Sequence, residues 1–149
     1  MTLKEQLFLQ CQDFIVKRKN VVEKAILEIE TALQSETKSS AGDKHETGRA
    51  MLQLEREKSG NQLAQIQKII TTLSKIDISK INSNISFGSL VYTTQANYFI
   101  TISTGEIIID NQKFYAISPS TPIGQLLMGK TSGDMIIFRE EKYKILKVL

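Results

Sequence analysis

The sequence predicts an α+β protein: a long antiparallel two-helix coiled coil at the N-terminus, followed by a small antiparallel-sheet domain with one short helix. Three observations predict it. Residues 3 to 38 contain no proline or glycine and carry apolar residues at helical spacing. A polar turn, Ser39-Ser40-Ala41-Gly42-Asp43, separates that stretch from a second helical pattern of similar length. Beyond residue 88 the apolar runs become short, rich in β-branched and aromatic residues, and divided by turn chemistry.

In the first helix Phe8, Ile15, Val22 and Ile29 recur every seven residues, with Cys11, Ala25 and Ala32 between them and Arg18 interrupting the seam. At ~1.5 Å per residue such a helix is about 50 Å long. The second seam runs through Leu52, Leu63, Ile66, Ile70 and Leu73, diluted by Arg56 and Ser59. Gly60 inside this helix costs about 1 kcal/mol relative to alanine. Two long helices joined by a short polar loop fold back antiparallel, each burying the other's stripe. The expected hairpin spans 1–76, with its tip near 39–46. A two-helix coil alone is marginal, so its root needs a second domain to hold it.

Residues 77–88 read as a linker, with Ile81 and Ile85 set among Ser, Asn, Lys and Gly. The second domain, 89–149, is expected to hold strands at Leu90–Thr93, Tyr98–Ile102, Glu106–Ile109, Phe114–Ile117, Met135–Phe138 and Tyr143–Val148. Ser103-Thr104-Gly105 and Asp110-Asn111-Gln112 read as hairpin turns. One short helix breaks the series: Thr121 suits its N-cap, Pro122 its first position, and Gly129 the left-handed residue past its end. A domain of about 65 residues is near the lower size limit for independent folding.

Composition excludes several function classes. Hydrophobic residues make up 41% and charged residues 23% of the 149, the balance of a soluble folded protein. No apolar run approaches the ~20 residues a bilayer span needs, and the first five residues lack the apolar core of a signal peptide. A cytoplasmic protein without membrane contact is expected. Cys11 is the single cysteine and His45 the single histidine, which speaks against an internal disulfide and a structural zinc site. The net charge of +3 is spread evenly, with 13 basic and 11 acidic residues through residue 80. Tight autonomous nucleic-acid binding is therefore not indicated. Lys17-Arg18-Lys19, the only basic run, reads as a solvated helix face.

Chemistry concentrates at Asp43 and Glu46. The spacing is that of a capping box with Asp at the cap, and both carboxylates favour the positive end of the second helix. A metal-binding or catalytic role is the second account of the same pair, with Lys44 and His45 partly neutralising it. A serine triad from Ser118, Ser120, His45 and Asp43 is not supported, because the histidine and the serines lie in different halves. Gly129-Lys130-Thr131 follows a helix and lacks the glycine spacing of a phosphate loop, so a helix cap accounts for it better. Cys11 reads as a seam residue.

In order, these pieces resemble the bacterial Gre-type transcript cleavage factors. At the tip the family reads Gly-Asp-x-x-Glu-Asn, and this chain reads Gly42-Asp43-Lys44-His45-Glu46-Thr47. Near the end the family reads approximately Ser-Pro-Ile-Ala/Gly, then Leu-Ile/Leu-Gly-Lys, then Gly-Asp. The corresponding segment here runs from Ser118 to Asp134 and includes Pro122-Ile123-Gly124, Leu126-Leu127-Met128-Gly129-Lys130 and Gly133-Asp134. The resemblance implies an FKBP-like C-terminal domain and a monomer whose partner is RNA polymerase. It implies that the coiled coil enters the secondary channel and that nucleic acid, DNA included, is met only within that complex. Asp43 and Glu46 would help to hold a second Mg²⁺ beside the polymerase's own, so that a water on that ion cleaves backtracked RNA. The free protein would hold no ion stably, and the nuclease would be the polymerase's rather than this chain's. Ser120, Thr121 and Pro122 would dock on the polymerase. Thr47 and Arg49-Ala50-Met51 depart from the family's asparagine and following aromatic residue. A non-cleaving occupant of the channel, a regulator or inhibitor, is the alternative. A prolyl isomerase or a general protein-interaction module is the second, although the chain has no tryptophan to floor an isomerase pocket.

Overall fold

The computed structural model describes the backbone of residues 1–38 and 42–149, and the side chains of residues 1–36 and 46–149. Helix α1 spans Leu3–Lys38 and α2 spans Gly42–Ser74; six strands and a third helix follow. The chain divides into two compact units. One is Ile15–Thr71; the other joins Met1–Phe14 to Thr72–Leu149.

Thr2 and Glu5 start α1 through a reciprocal capping box. The Glu5 amide donates to Thr2 Oγ1 at 3.1 Å, and the Thr2 amide donates to Glu5 Oε2 at 3.0 Å. Within the unit 15–71, Ile15, Ile26 and Ile66 are buried. The two helices run antiparallel: Arg56 Nε lies 3.2 Å from Glu30 Oε1, and a Cβ on Gly48 would lie 3.6 Å from Glu36 Oε1. Where small residues occupy the seam (Ala25, Ala32 and Ser59), the helices leave an open groove of about 530 Å³, bordered also by Ile29 and Leu52.

The other unit is built on a six-stranded sheet. Its strands are β1 (Leu90–Thr93), β2 (Asn97–Ile100), β3 (Gly105–Ile109), β4 (Gln112–Ile117), β5 (Met135–Phe138) and β6 (Glu141–Val148), in the order β3-β4-β2-β1-β6-β5. Every pairing is antiparallel except β2 with β4. Helix α3 (Pro122–Leu127) lies on one face, where Ile123 and Leu127 join Val91, Tyr98, Ile100, Ile136, Tyr143 and Ile145. The opposite face carries Leu90, Phe99 and Phe114, all fully buried. There Cys11 Sγ lies 3.5 Å from Thr101 Oγ1, and Leu7 is buried one helical turn before it.

One expectation is corrected here. Ser103-Thr104-Gly105 is not a hairpin turn, because β2 and β3 do not pair. β4 lies between them, parallel to β2 through Tyr98↔Tyr115, Phe99↔Ala116 and Ile100↔Ile117. Burial explains the order: Tyr98, Phe99 and Ile100 are covered on both faces and need an interior place, whereas β3 exposes Gly105, Glu106 and Ile108 and suits an edge. Cys11 also serves the sheet, since its thiol meets Thr101.

Residues 77–88 hold no helix or paired strand, yet Ile85 belongs to the sheet's core and Asn84 bridges Thr131. Gly88, at φ +96°, is required: a Cβ there would come within 2.8 Å of Ile76 Cγ2.

Of the three hairpins, β1–β2 turns through residues 94–96, closed by the Thr93 amide on the Ala96 carbonyl at 3.1 Å; the other two turn on left-handed residue pairs. Asp110 and Asn111 (φ 50° and 63°) join β3 to β4, and Arg139 and Glu140 (φ 51° and 68°) join β5 to β6. Both are type I′ geometry, which matches strand twist. Asp and Asn tolerate it; Arg and Glu are strained, although the Arg139 guanidinium gains a place over the Phe138 ring at 5.0 Å. Glu140→Gly therefore stabilises the protein by about 1 kcal/mol, because glycine carries no Cβ penalty in this region. Urea unfolding monitored on the sheet shows it as a higher midpoint with an unchanged slope.

The core also sets a pH dependence. Burial raises the Cys11 thiol, against a smaller lowering by its Thr101 contact, and burial raises the Tyr92 and Tyr98 phenols. Each is an acid that the folded chain deprotonates later than the unfolded one. Their contribution is complete below the unfolded values and is lost as pH rises past them, from about 9 for the thiol and about 10 for the phenols. Buried Lys4, lowered by desolvation, works in the opposite sense. Unfolding free energy measured against pH falls in the alkaline range, and Tyr98→Phe flattens the fall.

Candidate functional site

Asp43 and Glu46 lie in the first turns of α2, whose helical backbone begins at Gly42. Asp43 thus sits inside the helix rather than at the residue before it. The three-residue spacing places positions 43 and 46 on the same side of the helix. Glu46 is exposed; the side chains of Asp43, Lys44 and His45 lie outside the described residues, as do residues 39–41 of the expected turn. The helix start supplies unpaired backbone N–H groups and the positive end of the dipole, both favourable to carboxylates. Among the described residues no group of three or more His, Cys, Asp or Glu side chains could hold a metal ion. Two carboxylates are hard oxygen donors of the kind Mg²⁺ accepts, but they are too few to hold it without further ligands.

Ser120, Thr121 and Pro122 form the entry to α3 in the sheet unit. Ser120 and Pro122 are exposed and Thr121 is half-buried. Thr121 is the N-cap: its Oγ1 accepts from the Gly124 amide at 3.1 Å and donates to the Ser118 carbonyl at 2.8 Å. The Ser118 and Ser120 hydroxyls are 2.7 Å apart, and Gln125 Nε2 donates to the Ser120 carbonyl at 3.1 Å. Gly124 permits this packing, since a Cβ there would fall 2.4 Å from the Ser118 carbonyl oxygen and 2.7 Å from Thr121 Oγ1. Ile123 and Leu127 anchor the helix in the core beneath. Two exposed side chains, Ser120 and Pro122, are in this way presented at a capped and closely packed helix start.

Gly129-Lys130-Thr131 is committed to structure. The Gly129 amide donates to the Ile85 carbonyl, the Ile85 amide donates to the Lys130 carbonyl at 2.7 Å, and the Thr131 amide donates to Asp134 Oδ2 at 2.8 Å. Sequence reasoning passed over the Thr2–Glu5 capping box, although its Thr-x-x-Glu spacing was available, and passed over Asp134 as the partner of Thr131.

No protein-family model matches the chain, and no curated protein matches it. Among solved structures the chain is similar to the structure of the transcription factor Gfh1, with a TM-score of 0.35 and 16% sequence identity over 90% of each chain. No helix among the described residues is long and apolar enough to cross a membrane.

Thr121→Ala removes the cap and leaves the Gly124 amide without its acceptor, costing about 1–2 kcal/mol of stability. Gly124→Ala costs more, because its methyl group meets backbone. Chemical denaturation of both variants ranks them in that order.

Proposed function

We propose that this protein is a transcription factor that binds RNA polymerase and inserts its helical hairpin into the polymerase's secondary channel, where Asp43 and Glu46 promote cleavage of backtracked RNA. The observation that carries this reading is the acidic pair at the start of α2, beside the segment that joins two antiparallel helices of 36 and 33 residues. Carboxylates so far along a hairpin contribute little to any core. Their placement suits work done inside a partner. The resemblance of Gly42–Glu46 and of Ser118–Asp134 to the Gre-type factors supports the same reading.

The donor set fits an ion shared with the partner: two carboxylates supply part of a Mg²⁺ coordination sphere, and the polymerase and the RNA phosphates supply the remainder. Such an ion, when bound, acts as a Lewis acid and lowers the pKa of its water. The chain's own part is positional. The α2 backbone holds positions 43 and 46 one above the other, and the helix start favours negative charge there. The Ser120–Pro122 knob, held by Thr121 and Gly124, docks on the polymerase and fixes how deep the hairpin reaches. The reaction is then the polymerase's own, stimulated by this chain.

Backtracked complexes of the cognate polymerase test the reading. The wild type shortens the RNA from its 3′ end. Asp43→Asn with Glu46→Gln abolishes the shortening and leaves binding intact. A wild type that binds without shortening RNA overturns the cleavage role and makes the protein a channel-blocking regulator, the outcome toward which Lys44 and His45 tend by opposing Mg²⁺. Absence of binding overturns the polymerase reading altogether.

A further inference from the structure

Strands β5 and β6 are buried on one face only. Ile136, Tyr143 and Ile145 point into the core beside α3. On the other face the register sets Met135 opposite Lys144 and Ile137 opposite Lys142. Met135 is 57% exposed, Ile137 64% and Leu146 51%. Leu146 stands at the bulge where β6 shifts register against β1, between inward Ile145 and Lys147, which pairs with Tyr92. The alternation of the strand places it on the same open face.

The charge on this face has a single sign. Lys142, Lys144 and Lys147 surround the apolar side chains, and among the described residues none of the three makes an ion pair. The carboxylates nearby look elsewhere: Glu141 pairs with Phe138 on the core side, Glu140 is in the turn, and Asp134 accepts the Thr131 amide. β5 is also the last strand of the sheet, so one side of its backbone pairs with no strand among the described residues. Natural edge strands are ordinarily protected, and three large apolar residues grouped beside an open edge mark a contact surface.

We propose that this face docks a protein surface of apolar side chains flanked by carboxylates and, resting on the polymerase reading above, that this surface belongs to RNA polymerase. The apolar residues supply burial and the lysines supply selection. A second copy of this chain is a poor occupant, because two such faces would set lysine against lysine. The contact lies on the face of the sheet opposite α3 and its Ser120–Pro122 entry, and so constitutes a separate point of attachment.

Hydrogen exchange of the full chain with and without saturating core polymerase tests it. Protection of Met135–Phe138 and Lys142–Lys147 in the complex supports the proposal. So does a loss of affinity of about tenfold or more for Lys142→Glu with Lys144→Glu, alongside an unchanged unfolding midpoint. A complex that forms with these segments unprotected, and with the charge-reversal variant bound as tightly as the wild type, overturns this proposal and leaves the polymerase reading standing. No complex at all overturns both. Protection that depends on the chain's own concentration without polymerase, matched by dimers in sedimentation, assigns the face to a second copy and overturns the proposal.

Discussion

A sheet that is apolar on both faces has to be covered on both, and the organisation of the sheet unit follows from that requirement. Leu90 and Val91 are adjacent in β1, point to opposite faces, and are both fully buried; so are Phe99 and Ile100 in β2. Helix α3 covers one face through Ile123 and Leu127. The first turns of α1 serve the other, where Cys11 meets Thr101. A domain of about 60 residues is near the lower size limit for completing a core of its own. The unit accordingly takes in Met1–Phe14 from the far end of the chain.

The same requirement fixes what can be presented outward. Helix α3 is held from below by its buried residues and at its start by the Thr121 cap and the close packing around Gly124, and the exposed Ser120 and Pro122 flank that cap. The helical unit is packed differently. Its seam contains Ala25, Ala32 and Ser59, which leave a groove, and Arg56 pairs with Glu30 across the two helices. Among its described residues, the buried apolar side chains are Ile15, Ile26 and Ile66. The outer face of β5–β6 is the counterpart in the sheet unit: apolar, cationic and left uncovered by either helix of that unit's core.

Much of this was legible in the residues. The Thr-Pro start and the Gly129 end of α3 depend on short-range backbone preferences, and β1 and β5 have the bounds their apolar runs indicate. The Asp110-Asn111 turn was legible for the same reason. At the candidate site the residue types and the 43–46 spacing could be read directly, as could the Thr121 cap. The role of Gly124 could not be, because it depends on how close the Ser118 carbonyl comes in three dimensions. Arg139-Glu140 escaped notice because neither residue favours positive φ; only the pairing of β5 with β6 imposes it. The contact of Cys11 with Thr101 was not legible, because helical spacing does not record which distant strand a helix meets.

The sequence by itself determined the two long helices, the six strands, the short capped helix and the acidic pair at the start of α2. All of these rest on periodicity, propensity and local hydrogen bonding, which act over a few residues. Only the tertiary structure decided that β4 enters between β2 and β3, that the N-terminal turns of α1 belong with the sheet, and that Met135, Ile137 and Leu146 face outward among lysines. The physical reason is common to the three. Each depends on which of two available faces is covered, and covering a face is a competition among distant segments that no local pattern records.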